Sequence, residues 1–215
     1  MHKIQASLMD REKRKILVDK WTIRALCFIV LSFCLFIFFT KVLLFSVYID
    51  GASMYPTLNS KDVVFVSRST DVKVGDIVVI DGEKKNSQGG YDWLIKRVIA
   101  IGEKDKTVVV EIKNGSVYVG YKGKGTTRLQ EDYLPVGTQT TPYLPNPKAP
   151  YWELEEGQIF YLGDNRENSL DSRSTYDVCE KEQIVGIVPK WALSFRWLSG
   201  WMFDAGQYFN NLFRR

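Results

Sequence analysis

Apolar and polar positions alternate with different rhythms along the chain. Residues 1–24 are polar and charged, and residues 25–49 are apolar almost throughout, interrupted by Lys41 and softened by Ser32, Thr40 and Ser46. About 20 apolar residues suffice to cross a bilayer as a helix, so the run predicts one transmembrane helix over 25–49, with Lys41 reaching back to the headgroups. The apolar region of a cleaved signal peptide is shorter, about 7–15 residues, so the run reads as a retained anchor.

From Lys61 the rhythm shortens. Residues 62–67 and 76–80 are Val/Ile/Phe runs of strand length, and 83–92, rich in Lys, Asn, Gln and Gly, reads as a loop. Strands are expected at 93–101, 107–112 and 116–121, the last two flanking an Asn-Gly hairpin signal at Asn114-Gly115. Residues 122–150 hold prolines and scattered Gly and Thr without a period. They are expected to form an irregular insertion, either a surface excursion with small irregular strands or a partner-facing element. Strands return at 158–162 and 183–188, separated by a dense polar turn at 163–173. The whole predicts a mainly β, antiparallel domain over 50–190, tethered by one N-terminal helix. Beyond it, 191–215 carries Trp191, Phe195, Trp197, Trp201, Phe203, Tyr208, Phe209 and Phe213, broken by Ser199-Gly200, Asp204 and Gly206. Too interrupted to span, it is expected to rest on the outer leaflet or to pack against the domain.

Composition narrows the chemistry. The 215 residues, 45% hydrophobic, allow one domain and a membrane segment. A net charge of +4, with both signs interspersed, gives nucleic acid little to bind, and no nucleic-acid partner is expected. In 1–24 the basic residues Lys3, Arg11, Lys13, Arg14, Lys15, Lys20 and Arg24 outweigh Asp10, Glu12 and Asp19. The positive-inside rule then makes 1–24 a cytoplasmic tail and sends everything after Ile49 across the membrane. Cys27 and Cys34 lie in the apolar run and Cys179 stands alone, so no disulfide is expected in the domain. The single histidine, His2, lies in the tail. That excludes Ser-His-Asp and Cys-His catalysis and any His-containing zinc site in the domain; no metal or cofactor is expected.

A hydrolytic nucleophile here needs another base. Ser53, in Gly51-Ala52-Ser53-Met54-Tyr55-Pro56-Thr57-Leu58, sits just after the apolar run and three residues ahead of a proline, on an irregular exposed turn. On the strand at 93–101, Lys96 shares one face with Leu94, Val98 and Ala100, while Arg97 shares the other with Ile95, Ile99 and Ile101. Two adjacent cations on a strand otherwise apolar on both faces need a reason. A buried lysine can lose about 3–5 pKa units, enough to act as a base near neutrality. Ser169 and Ser172 offer hydroxyls to orient an amine, and Asp171 with Arg173 can fix the loop as an ion pair.

Four strings in this order, Ser53-Met54-Tyr55-Pro56-Thr57-Leu58, Gly75-Asp76-Ile77-Val78, Lys96-Arg97-Val98-Ile99 and the run from Gly163-Asp164-Asn165-Arg166 to Ser169-Leu170-Asp171-Ser172-Arg173, resemble the successive boxes of bacterial type I signal peptidases. The resemblance covers roughly residues 45–190. It implies two antiparallel β-sheets and a membrane-bound serine endopeptidase that removes signal peptides from exported preproteins, cutting after small residues. It further implies Ser53 as nucleophile, Lys96 as general base, Ser169 as the hydroxyl orienting the amine, and Asp171 with Arg173 as the supporting pair. The implied partners are signal peptides and the lipid bilayer of a bacterial inner membrane.

Two departures stand out. Gly51 lacks the hydroxyl that some members place there beside the Ser53 N–H for the oxyanion, and after Arg173 the chain runs Ser174-Thr175-Tyr176-Asp177 instead of aromatic-Gly. The second keeps open a peptidase dedicated to one pilin or conjugation precursor. A self-cleaving repressor and a non-enzymatic tethered β module are the readings from other classes. Met54, Val64 and Val66 are expected to form part of the apolar wall that admits only small substrate side chains.

Overall fold

The computed structural model describes residues 19–38, 44–85, 91–143, 148–174, 176–201 and 203–204. The chain divides into two units, Met1–Leu44 and Phe45–Arg215. The described part of the first is helix α1, Asp19–Phe38, whose 20 residues are long and apolar enough to cross a membrane and whose side chains are exposed. At 1.5 Å per residue it is about 30 Å long, the thickness of a bilayer's hydrocarbon core.

The expected helix over 25–49 is thereby corrected at both ends. Residues 19–24 are already helical, and β1, Leu44–Tyr48, is a strand. An unbroken apolar run cannot reveal which period it will adopt. Here Phe45 and Val47, two apart, both pack against a buried cluster of the second unit, which is strand spacing.

The second unit holds two antiparallel sheets. The larger has seven strands in the order β1-β2-β11-β3-β4-β9-β10, and the smaller four, β7-β6-β5-β8. Strands β2 (Val63–Ser67), β3 (Ile77–Lys85), β4 (Tyr91–Ile101), β9 (Gln158–Leu162) and β11 (Ile184–Val188) fall close to the expected positions. The expected loop at 83–92 is shorter than its composition suggests, because β3 continues to Lys85 and β4 begins at Tyr91, the two residues paired. In the small sheet β5 (Val108–Lys113) and β6 (Ser116–Tyr121) meet across Asn114-Gly115. Both turn residues have positive φ, 50° and 71°, the two-residue turn that Asn-Gly favours. Among the described residues of 122–150 one short strand forms, β7 (Gly125–Arg128), and β8 (Tyr151–Leu154) and β10 (Cys179–Glu180) complete the sheets. In β8, Trp152 and Leu154 are buried while Tyr151 and Glu153 are exposed; Trp152 packs 4.9 Å from Phe160 of β9, centroid to centroid.

Strand β4 departs from simple alternation. Its register against β9 shifts between Val98 and Ala100, so Ile99 and Ala100 join one core cluster while Val98 and Ile101 join another. The bulge lies past Lys96 and leaves the pairings that set the site intact, Lys96 opposite Val78 and Arg97 opposite Ile77.

After Pro189, α2 (Lys190–Ser194) and a further helical stretch at 196–201 cover β2. Ala192 and Ser199 are buried, the Ser199 hydroxyl donates to the Val63 carbonyl, and Arg196 pairs with Asp62 at 2.7 Å. Trp191 meets Phe65 of β2 with ring centres 5.9 Å apart yet stays half-exposed, and Phe195, Trp197 and Trp201 are exposed. Over its described part the segment packs against the domain; 202 and 205–215 lie outside the described residues.

Candidate active site

The turn that presents Ser53 is held from beneath and from the side. Met54 and Leu58 are fully buried in the cluster that includes Val64, Val66, Ile77 and Val79. The Leu58 N–H donates to the Met54 carbonyl at 2.9 Å, and Tyr55 N–H to Ala52 at 3.1 Å. From the polar loop, Asn165 donates its backbone N–H to the Ser53 carbonyl and its side-chain amide to the Ala52 carbonyl, each at 3.0 Å. Gly163 lies so close that a Cβ there would sit 2.1 Å from Ser169 Oγ and 2.4 Å from the Ser53 carbonyl oxygen. A glycine is required, because the approaching atoms include backbone that cannot yield.

Lys96 is only 3% exposed, and its Nζ donates to Ser53 Oγ at 2.9 Å and to the Ile95 carbonyl at 2.9 Å. Burial pushes the lysine pKa down to about 8, against the carboxylates of Asp171 and Asp164, which pull it up. A serine and a lysine 43 residues apart thus form a hydrogen-bonded pair with an amine shielded from water. The neighbouring cation also finds its reason. Arg97 forks onto Asp164 through Nε at 2.8 Å and Nη2 at 2.6 Å, and Asp164 accepts a third bond from the Thr57 hydroxyl. Asp164 therefore ties the strand carrying Lys96 to the turn carrying Ser53. Sequence reading missed it, since no local signal marks a pair 67 residues apart.

The polar loop buries Asp164, Arg166, Ser169, Asp171, Ser172 and Arg173 and leaves Glu167, Asn168 and Leu170 exposed. Arg173 forks onto Asp171 at 2.8 and 2.9 Å, both side chains are fully covered, and Asp171 also accepts the Gly163 N–H at 3.0 Å. Ser172 Oγ accepts the Tyr161 N–H at 3.0 Å and so fastens the loop to β9. Ser169 Oγ is buried without a hydrogen-bond partner, beside the Ser53 carbonyl; the expected bond to the Lys96 amine is not made. Gly51 directs its N–H to Ser60 Oγ at 3.3 Å.

A cleft of about 410 Å³ opens onto Ser53 and Lys96. Its lining includes Val47, Val79, Trp93, Ile95, Leu170 and Tyr176. Met54, Val64 and Val66 do not line it. All three are fully buried in the core: Val64 and Val66 because β2 lies between two strands and beneath α2, and Met54 because it enters the same cluster from the Ser53 turn. A larger hollow of about 580 Å³ lies along 128–138 and contains neither member of the pair. Among the described residues, no three His, Cys, Asp or Glu side chains converge as metal ligands.

Residues 22–192 match the family model described as "Signal peptidase, peptidase S26". The chain belongs to that family. It is a serine peptidase that removes signal peptides, and the non-enzymatic and repressor readings fall away. The peptidase is 32% identical over 192 residues to signal peptidase I P of Bacillus subtilis subsp. natto, covering 84% of this chain and 92% of that one. It is 34% identical to signal peptidase IB of Staphylococcus aureus, over 74% and 79% of the two chains. Among solved structures, a signal peptidase I from Enterococcus faecalis V583 is 22% identical with a TM-score of 0.40, covering 55% of the peptidase and 97% of that chain. Neither the Bacillus nor the Staphylococcus relative is named a dedicated pilin or conjugation peptidase, and that alternative is not favoured.

Proposed function

We propose that Ser53 is the acylating nucleophile and Lys96 its general base and acid. The 2.9 Å line between Lys96 Nζ and Ser53 Oγ is the observation that carries the reading. In its neutral form the amine takes the serine proton along that line as Oγ attacks the scissile carbonyl. The ammonium so formed returns the proton to the departing amine, leaving an acyl-enzyme. A water deprotonated by Lys96 then releases the acyl group and restores Ser53. The Ser53 N–H is assigned to the developing oxyanion. Gly51 contributes backbone conformation, with φ near +104°, and no hydroxyl.

Asp171 with Arg173, and Asp164 with Arg97, hold the two halves of the pair in register through buried forked ion pairs. Ser169 is assigned a supporting place on position alone, its uncommitted buried hydroxyl lying against the nucleophile segment. Wild type and Ser53→Ala assayed on a radiolabelled preprotein test the assignment. The wild type should release a shorter mature chain and Ser53→Ala none; cleavage by Ser53→Ala removes the assignment.

The peptidase domain is placed on the extracytoplasmic side of a bacterial inner membrane, with α1 spanning and the N-terminus cytoplasmic. The basic excess among residues 3–24 supports this orientation. Protease added to intact spheroplasts should digest the domain; protection until lysis would reverse the topology. The exposed Trp191, Trp197 and Trp201 suit the headgroup region of that outer leaflet.

A further inference from the structure

Three buried arginines flank the Ser53/Lys96 pair, and all three are closed by the same irregular segment, 131–143. Arg97, next to Lys96 on β4, lies beneath the ring of Tyr133, its guanidinium carbon 3.9 Å from the ring centroid. Arg166, fully covered, donates to both carboxylate oxygens of Glu131, to the Thr140 hydroxyl and, at 3.1 Å, to the Tyr133 hydroxyl. Arg173 donates to the Thr141 carbonyl at 3.0 Å and lies 4.5 Å from the ring centre of Tyr143. On the outer side of the segment Val136 is fully exposed and the 580 Å³ hollow runs along it, and the Thr140 N–H donates to the Gly115 carbonyl at 2.9 Å. Glu131, Tyr133, Thr140 and Tyr143 turn their side chains inward, onto the cations that organise the site, while Asp132, Gln139 and Thr141 are exposed.

Tyr133 has a particular place among them. Its ring covers Arg97, its hydroxyl donates to Glu131 at 2.7 Å, and Arg97 in turn grips Asp164, which bonds Thr57 four residues after Ser53. One aromatic ring therefore touches the chain neighbour of Lys96 and is three contacts from Thr57, on the turn that carries Ser53. We propose that 131–143 is a strap that positions the catalytic pair, and that Tyr133 is its principal positioning residue, by holding Arg97 on Asp164.

The strap does more than fill space. An arginine under an aromatic face is held against one direction of escape, and the face excludes water from the Arg97–Asp164 fork. Without the ring, Arg97 is freer to leave Asp164, whose carboxylate then acts on Lys96 with less of its charge offset. Added water acts in the same direction, since it lessens the desolvation that lowers the lysine pKa. Both changes make Lys96 harder to deprotonate.

The proposal rests on the Ser53/Lys96 reading, and its test separates the two. Full-length Tyr133→Phe, Tyr133→Leu and Tyr133→Ala are purified and assayed on a preprotein for kcat, KM and pH dependence, with melting followed in parallel. Tyr133→Phe keeps the ring and should stay within about threefold of wild type. Tyr133→Leu fills the volume without a π face; it and Tyr133→Ala should lose about tenfold or more in kcat with little change in KM. The acid limb of their pH profiles should move up by about half a unit or more. A folded Tyr133→Leu with wild-type kcat and an unmoved acid limb overturns the proposal. So does a loss that is equal at every pH and follows only the melting temperature, or failure of both Leu and Ala variants to fold, since the segment would then be scaffold alone. If wild type itself shows no acid limb near pH 8, the base assignment fails and not the strap.

Discussion

Raising the proton concentration should switch the enzyme off along a curve set by Lys96. An exposed lysine keeps its proton until about 10.5, whereas burial of this amine brings its pKa down to about 8. The difference of about 2.5 units corresponds to about 3 kcal/mol, or about 300-fold in free base at neutral pH. At pH 7 about one molecule in ten then carries a neutral amine, against about one in three thousand for an unperturbed lysine. The assay is kcat/KM for preprotein cleavage by the full-length enzyme in detergent, from pH 5.5 to 10 at constant ionic strength. Because kcat/KM reports the free enzyme, it should rise about tenfold per pH unit and level off above about 8. A profile flat from pH 6 to 9, or one still climbing beyond 10, would refute the depressed base.

The same burial carries a stability cost. Lys96→Met should stabilise the fold at pH 7 by up to about 3 kcal/mol, offset in part by the lost bonds to Ser53 and Ile95. Since the folded pKa lies below the unfolded value, the unfolded state holds more protons between pH 8 and 10.5, so wild-type stability rises across that window and the gain from Lys96→Met fades. Urea melts at pH 7 and 10.5 measure this, and a pH-independent difference would contradict it. In the core, Val66→Ala should cost about 1–3 kcal/mol in urea melts and leave the preference for small substrate residues unchanged. Trp93→Ala, at the half-exposed cleft wall, should cost little stability and widen the substrate side chains accepted, read from a panel of precursors; the reverse pattern would move the subsites back to β2.

How much of this was legible in the sequence depends on the range of each interaction. The Asn114-Gly115 hairpin and the strands ending at Leu162 and Val188 were readable because turn chemistry and β-branched runs are local. Strand β1 was hidden, since Leu44–Tyr48 continues an apolar run whose residues give no period until Phe45 and Val47 find a core to pack on. Ser53 and Lys96 could be chosen by elimination, with the only histidine far away, and by their surrounding strings. The coverage of Val64 and Val66 has a physical cause: a Val-rich strand looks the same whether one face is free or both are covered, and here α2 and two neighbouring strands cover it. Arg97 announced itself as a buried cation without naming Asp164, and Glu131 and Tyr133 sat unnoticed in a stretch with no period. Their roles arise only when 131–143 folds onto Arg97, Arg166 and Arg173.

Everything proposed for catalysis turns on Lys96 giving and taking a proton, and Lys96→Arg isolates that property. An arginine keeps the positive charge and much of the length but does not deprotonate in a protein. The preprotein cleavage rate of folded Lys96→Arg, measured at pH 8 beside wild type and Ser53→Ala, should fall at least about 1,000-fold, to near the Ser53→Ala background. Turnover within about tenfold of wild type would contradict Lys96 as the base.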